Sequence, residues 1–453
     1  MRASFAILLT SLTVATLLPA VASAQTPVTV QTPPAPQPLQ PAPQVAQTAQ
    51  SLTLQQAEQI AIQNHPQIQA SQDLALAAKQ QVREARSAYY PTALGSLTGV
   101  EAEHDSRVAA GFLNNPIIYD RYSNGIDVNQ LVTDFGRTHE LSKSSDLHAQ
   151  AVQENVVLSR ADVLLGADSA YYGALKAQAI LQVAQETVKD RQVVADQISA
   201  MARNQLKSDL DVSFANVDLS QAQLLLIQAQ NDLQASFADL SAALGYGDAR
   251  TFTLTEEPLP PAPSADLPQF LAQASMQRPE LIGERLNVNS ANSFATAERD
   301  LVLPTVSAMG AAGLIPYRQD TLASRYAAAG VNVNIPIFNG FLFSARTSEA
   351  KFRAQAEELN LRDLQDRITR DVTQAWLNAN SAFQKLSVTE QLYQEASLAV
   401  NLAQARYNLG LSSIVELTQA ELNLTLGEIA RVSARYDYQT QVSILNFQVG
   451  NVR

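Results

Sequence analysis

Two periodicities alternate along the chain. One is helical. From Val212 through Ala215, Leu219, Ala222, Leu226 and Ala229 to Ala243, apolar residues recur with three-four spacing, the a/d rhythm of a coiled-coil seam. Large and small side chains take turns along it, which suits close interdigitation. A second seam runs from Leu361 through Ile368, Val372, Ala375 and Ala379 to Leu386. Proline is absent between Pro116 and Pro258 and after Pro336, and Ala, Leu, Gln, Glu and Arg dominate these runs. The pattern predicts long helices over about 137–203, 209–244, 343–408 and 413–449. A helix of about 66 residues spans about 100 Å. No compact globule needs that length, but a rod or a tube does.

The other periodicity is two. Val331, Val333, Ile335 and Ile337 alternate with Asn332, Asn334 and Pro336, and Ile126 and Val128 alternate with Asp127 and Asn129. These stretches predict strands over about 325–338 and 122–134, with weaker, Gly/Ala-rich partners over about 92–103 and 305–315. One apolar and one polar face suit either a membrane barrel, as lipid and lumen faces, or an ordinary half-buried hairpin. Four strands cannot close a barrel alone. A barrel therefore requires several copies of the chain.

The chain also repeats itself. "NHPQIQASQDLALAAKQQVREARSAYYPT" (64–92) is echoed by "QRPELIGERLNVNSANSFATAERDLVLPT" (277–305), and the prolines of each copy fall 25 residues apart. Val128-Asn129 matches Val333-Asn334, and "DVSFANVDLSQAQ" matches "ELTQAELNLTLGE". The halves are 51–247 and 266–450, joined by a linker at 248–265.

The first residues read as a secretory signal peptide, 1–24, with Arg2, an apolar core from Phe5 to Leu18 and an Ala22-Ser23-Ala24 cleavage site. Residues 25–50 are rich in Pro and Gln and read as a disordered tether. The chain has no cysteine, which excludes disulfides and thiolate chemistry. A net charge of −12 with no basic stripe argues against nucleic acid as a partner. No later apolar run approaches the ~18 residues of a membrane helix. The four histidines, His65, His104, His139 and His148, form no metal-spaced pair, and no nucleophile elbow, phosphate loop or zinc-protease motif is present. Neither an enzyme nor a cofactor is expected.

Taken in order, "SLTLQQAEQIAIQNHPQI", "ARSAYYPTALGS", "VTDFGR", "IFNG" and the two late hairpins resemble the TolC family of outer-membrane efflux proteins over about 51–450. The resemblance implies a mainly α fold with a membrane β-barrel portion. Three copies would join four strands each into a twelve-stranded barrel in the outer membrane of a Gram-negative bacterium. Their helices would form a long coiled-coil barrel in the periplasm. It implies a homotrimer in outer-membrane lipid, a periplasmic adaptor (membrane fusion) protein and an inner-membrane pump of RND or ABC type. The cargo would be drugs, toxic small molecules or polypeptides, the last as in type I secretion. External loops would cover His104–Arg121 and Tyr317–Ser324. A pore-less periplasmic coiled-coil scaffold is the alternative.

The same resemblance assigns roles at the turn "RYNLGLSSIVELTQ". Gly410 would reverse the chain, since glycine tolerates the positive φ of such a turn, and Ser412 or Ser413 would cap the returning helix. The equivalent first-half turn, "RNQLKSDLDV", has no glycine and looks about two residues shorter, with Ser208 or Asp209 as its cap. Gly410, Leu411, Ser413, Lys207 and Ser208 would present the turns to the adaptor. Glu416 would ring the pore constriction with Gln419 one turn on, where the archetype has a second acid. Tyr407 and Asp211 would latch the tip by hydrogen bonding, and Ser412 stands where the archetype has a locking arginine.

Overall fold

The computed structural model describes residues 51–103, 118–318, 320 and 322–451. The expected signal peptide, the Pro/Gln-rich tether and residues 104–117 of the expected external loop, His104 included, lie outside them. The first half runs β1 (Ser51–Leu52), α1 (Leu54–Asn64), α2 (Pro66–Arg86), β2 (Thr92–Val100), β3 (Arg121–Thr133), α3 (Arg137–Arg203) and α4 (Asp209–Ala243). The second runs β4 (Thr253–Leu254), α5 (Leu267–Gln277), α6 (Pro279–Arg299), β5 (Thr305–Arg318), β6 (Arg325–Asn334), α7 (Leu342–Asn408) and α8 (Ile414–Val449). The helices α3 and α7 are both 67 residues long, and α4 and α8 have 35 and 36.

Local chemistry sets these boundaries. Thr53 and Gln56 form a reciprocal capping box at the start of α1. Pro66 and Pro279 open α2 and α6, each preceded by a residue held extended, as proline requires. Strand turns into helix through two successive left-handed residues in each half: Phe135 and Gly136 at φ 57° and 113°, Gly340 and Phe341 at 62° and 65°. The strand expected to reach 338 stops at Asn334, because Pro336 has no N–H to give a ladder. The strand expected to reach 103 stops at Val100; beyond it the Ala102 N–H is taken by the Asp120 carboxylate at 2.8 Å. The third strand runs on past 315 to Arg318, where Tyr317 and Arg318 pair with Tyr122 and Arg121.

The four long strands form one antiparallel sheet in the order β2-β3-β5-β6. Residues directly opposite share a face. Ile126 lies between Gly95 and Ala312, Val128 between Ala93 and Gly310, and Val331 and Val333 oppose Ala308 and Val306. That face is apolar. The other carries Asp127, Asn129, Ser307, Asn332 and Asn334. On this polar face the Tyr326 ring lies across Gly125 and Gly313, where any β-carbon would collide with it. Among the described residues, β2 and β6 are open edges.

Along both predicted seams every member is buried or half-buried. Small residues let the helices approach closely: Ala215, Ala222 and Ala229 on α4, and Ala375, Ala379 and Ala382 on α7, are all buried. Midway along the helices, β1 pairs in parallel with β4, which ties the linker to the start of the first half. Tyr171 anchors this joint. Its ring is fully buried, and its hydroxyl faces the Leu52 and Thr255 carbonyls at 2.9 and 2.6 Å. Burial pushes its phenol up to about 12, so it remains a donor. Tyr171→Phe removes that donor from two carbonyls and is expected to lower stability by about 1–3 kcal/mol. A reduced thermal midpoint with unchanged helix content is the expected result; an unchanged midpoint would show that the joint does not rest on this hydroxyl.

Candidate functional site at the hairpin tips

The turns α3–α4 and α7–α8 lie side by side over a shared apolar cluster of Ile198, Ala215, Ala403, Tyr407, Ile414 and Leu417. Each connection has five residues, 204–208 and 409–413, so the first turn is not the shorter one expected. Both helices end in the same Schellman arrangement. Leu411 N–H bonds Arg406 O at 2.8 Å and Gly410 N–H bonds Tyr407 O at 3.1 Å, with Gly410 at φ 73°. Leu206 N–H bonds Met201 O at 3.0 Å and Gln205 N–H bonds Ala202 O at 2.9 Å, with Gln205 at φ 61°. A side-chain-bearing residue therefore holds the left-handed position that glycine fills in the other hairpin. The missing glycine shortened nothing.

Ser208 caps α4. It accepts the Asp211 N–H at 3.2 Å, and its own N–H and hydroxyl donate to Asp211 Oδ2 at 3.0 and 2.9 Å. The Asp211 carboxylate is thus engaged within its own turn. Within one chain the latch hydrogen bond expected between Tyr407 and Asp211 is not made: the Tyr407 ring is buried and its hydroxyl has no hydrogen-bond partner among the described residues. Burial, with the Asp211 charge adding to it, pushes the Tyr407 phenol up to about 12. Ser413 occupies the N-cap position of α8, where its carbonyl, not its side chain, bonds Glu416 N–H at 3.2 Å. The Ser412 hydroxyl is buried without a partner.

The contacts that do cross the tip involve two cations. Lys207 Nζ stands 3.6 Å above the centre of the Tyr407 ring and donates to the Tyr407 carbonyl at 3.3 Å. It thus sits at the negative end of the α7 dipole as well as on a π face. Arg406 Nε lies 3.2 Å from Glu416 Oε1 across the second hairpin, with both side chains about half exposed. Gln419 is exposed one turn beyond Glu416 and donates to Asn423 at 3.1 Å. Sequence reasoning missed the Arg406 pairing, although folding "RYNLGLSSIVE" about Gly410 brings Arg406 and Glu416 together. It also missed a buried group of Arg191, Asp218 and Glu421 two to three turns above the tip. Among the described residues no group of His, Asp or Glu side chains could hold a metal ion, and no helix is long and apolar enough to cross a membrane.

The family described as outer membrane efflux protein matches residues 57–246 and 270–451, the two halves of the repeat. The chain belongs to this family. It is an outer-membrane efflux channel, which sets the pore-less scaffold aside. It is similar to the outer membrane efflux protein BepC of Brucella suis, 25% identical over 324 residues that cover 69% of this chain and 68% of that protein. It is similar to the outer membrane protein TolC of Escherichia coli, 20% identical over 409 residues covering 86% and 80%. The fold matches the outer membrane protein VceC of Vibrio cholerae with a TM-score of 0.76 at 18% identity, covering 88% of this chain and 96% of that one.

In this efflux protein the tip geometry separates the two expected latch residues. Tyr407→Phe removes a buried hydroxyl that bonds nothing and should leave stability unchanged or raise it by up to about 1 kcal/mol. Asp211→Ala breaks the capping box and should cost about 1 kcal/mol locally. Amide hydrogen exchange in the first turn of α4 is the measurement: faster exchange in the second variant alone is expected, and equal acceleration in both would restore the latch bond.

Proposed function

We propose that three copies of this efflux protein assemble into one passive duct, with twelve strands forming an outer-membrane barrel and twelve long helices a periplasmic tunnel. The observation that carries this is the four-stranded sheet. It has one apolar and one polar face, is too small to close and, among the described residues, leaves β2 and β6 as unpaired edges. Pairing the β2 edge of one copy with the β6 edge of the next satisfies both rows of backbone groups, with lipid on one face and water on the other. The duct catalyses nothing and needs no cofactor. A periplasmic adaptor meets the turns around Lys207, Ser208, Gly410, Leu411 and Ser413, and an inner-membrane pump of RND or ABC type supplies the energy. Drugs, toxic small molecules or polypeptides are the cargo.

The tunnel narrows at the tips, where three copies of Glu416 and Gln419 face one another. The Arg406–Glu416 pair offsets the formal charge of that ring, so its attraction for cations depends on how firmly Arg406 stays bound. Lys207 on Tyr407 takes the place of the absent Tyr407–Asp211 bond in holding the two hairpins together, with Ser412 where the family's arginine would stand. Such a clasp is worth about 0.5–2 kcal/mol per chain, small enough for a docking partner to undo.

Single-channel recording in planar bilayers tests the reading. Small steps are expected for the unmodified protein and larger ones for Lys207→Ala. A trimeric mass should accompany them, and a folded, helical protein that neither trimerises nor conducts would refute the duct. Arg406→Gln should deepen block by multivalent cations and Glu416→Ala should abolish it. Block that is indifferent to both would move the constriction elsewhere.

A further inference from the structure

Arg191, on α3, points into the seam between the two hairpins. Its Nε lies 2.7 Å from Asp218 Oδ2 on α4, its Nη1 3.4 Å from Glu421 Oε2 on α8, and its Nη2 donates to Thr425 Oγ1 at 3.3 Å. The three charged side chains are only 7%, 14% and 3% exposed. At ~1.5 Å per residue they sit roughly 10–18 Å from the helix ends that form the tip. The Asp218 and Glu421 carboxyl groups meet on that one guanidinium, and each bears on the other's affinity for a proton. One guanidinium faces two buried carboxyls. Two ionised carboxylates cannot share such a site cheaply, and one proton between them leaves the cluster neutral.

The surroundings reinforce that need. On α3 the next charge is Asp190, which also repels a second anion here. Further along α8, Glu428 is itself held up by burial and by Glu186, against the opposing pull of Arg431. On the α7 side the stretch beside the cluster is apolar, around Val400; the charges that flank it are Glu395, exposed to solvent, and Arg406, engaged by Glu416.

We propose that Arg191, Asp218 and Glu421 form a proton-loaded pin that clamps α8 to α3 and α4 above the tip and releases when the shared proton leaves. The pin is a regulatory device that rests on the tip-gated duct reading. Burial outweighs the Arg191 charge and, with Asp218 and Asp190, pushes the Glu421 acid up to about 7 from an ordinary 4.5. If parting of α8 exposes Glu421 to water, the clamped state binds the proton more tightly than the parted one. Its advantage is then complete below the ordinary value and fades as pH rises through about 7. Between pH ~5 and ~8.5 the ratio of parted to clamped chains should rise up to about a hundredfold.

The chain has no cysteine, so spin labels can be placed at Leu206→Cys and Leu411→Cys, on the two turns, where the native leucines are 72% and 67% exposed. Labelled full-length chains diluted into unlabelled ones report the distance within one chain. With native Glu421 that distance should lengthen or broaden at the higher pH. Glu421→Gln, neutral at every pH and still able to hydrogen-bond, should keep the short distance throughout, and Asp218→Asn should also blunt the response. A native background without pH response, or a Glu421→Gln variant that follows it, overturns the pin. Bilayer recording of the same samples separates the two readings. Responsive distances without conductance sink the duct and spare the pin; conductance with unresponsive distances does the reverse.

Discussion

The pairing of β3 with β5 is the constraint on which the rest of the molecule depends. It is the joint in the sheet between the two halves, and its register, with Val128 opposite Gly310 and Asn129 opposite Met309, fixes where each half leaves the sheet. From there α3 and α7 each run 67 residues before turning. Equal lengths hung from one sheet bring both turns to the same level, where Lys207 of one reaches the Tyr407 carbonyl of the other. A one-residue slip in the sheet would exchange its apolar and polar faces and also displace one tip against the other by a few ångströms. Sheet and tip, about 100 Å apart, are therefore set by one register.

Between those ends the helices hold together by small residues rather than large ones. Buried alanines along α4 and α7 allow close approach, and the larger aromatic anchors cluster midway, where Tyr171, Tyr436 and Tyr438 bind the linker and the β1–β4 joint. Rigidity is concentrated there. At the tips the contacts are few: a lysine on a ring, an exposed ion pair, a capping box and one apolar cluster. Exposed pairs of this kind contribute little to stability, so the tip is the part of the rod that moves with the least penalty.

The charges near the tip divide into two kinds. Arg406 and Glu416 are in water, and their interaction is screened by salt. Arg191, Asp218 and Glu421 are buried, where salt screens their interaction far less. A channel that must stay shut until engaged has use for both. In the proposed duct the first would tune what approaches the opening, and the second would govern how readily the helices part.

Much of the architecture was legible in the residues alone. Heptad seams such as Ala215–Ala222–Ala229 and the alternation of Val331 and Val333 with asparagines follow from periods that any helix or strand must obey, and Pro66, Pro279 and Gly410 mark ends by backbone chemistry that needs no neighbour. The repeat carried the fold class, and the order of its motifs carried the family. Other features depended on side chains meeting across hundreds of positions. Gln205 adopting the conformation of Gly410, Asp211 turning back to Ser208 and leaving the Tyr407 hydroxyl unbonded, Lys207 finding the Tyr407 ring, and Arg191 meeting both Asp218 and Glu421 have no sequence period. A polar side chain can choose among several partners of similar energy, and only the packing of four helices against one another decides which it reaches. Periodicity determined what the elements are; burial and proximity, which exist only once they are assembled, decided what their charged residues do.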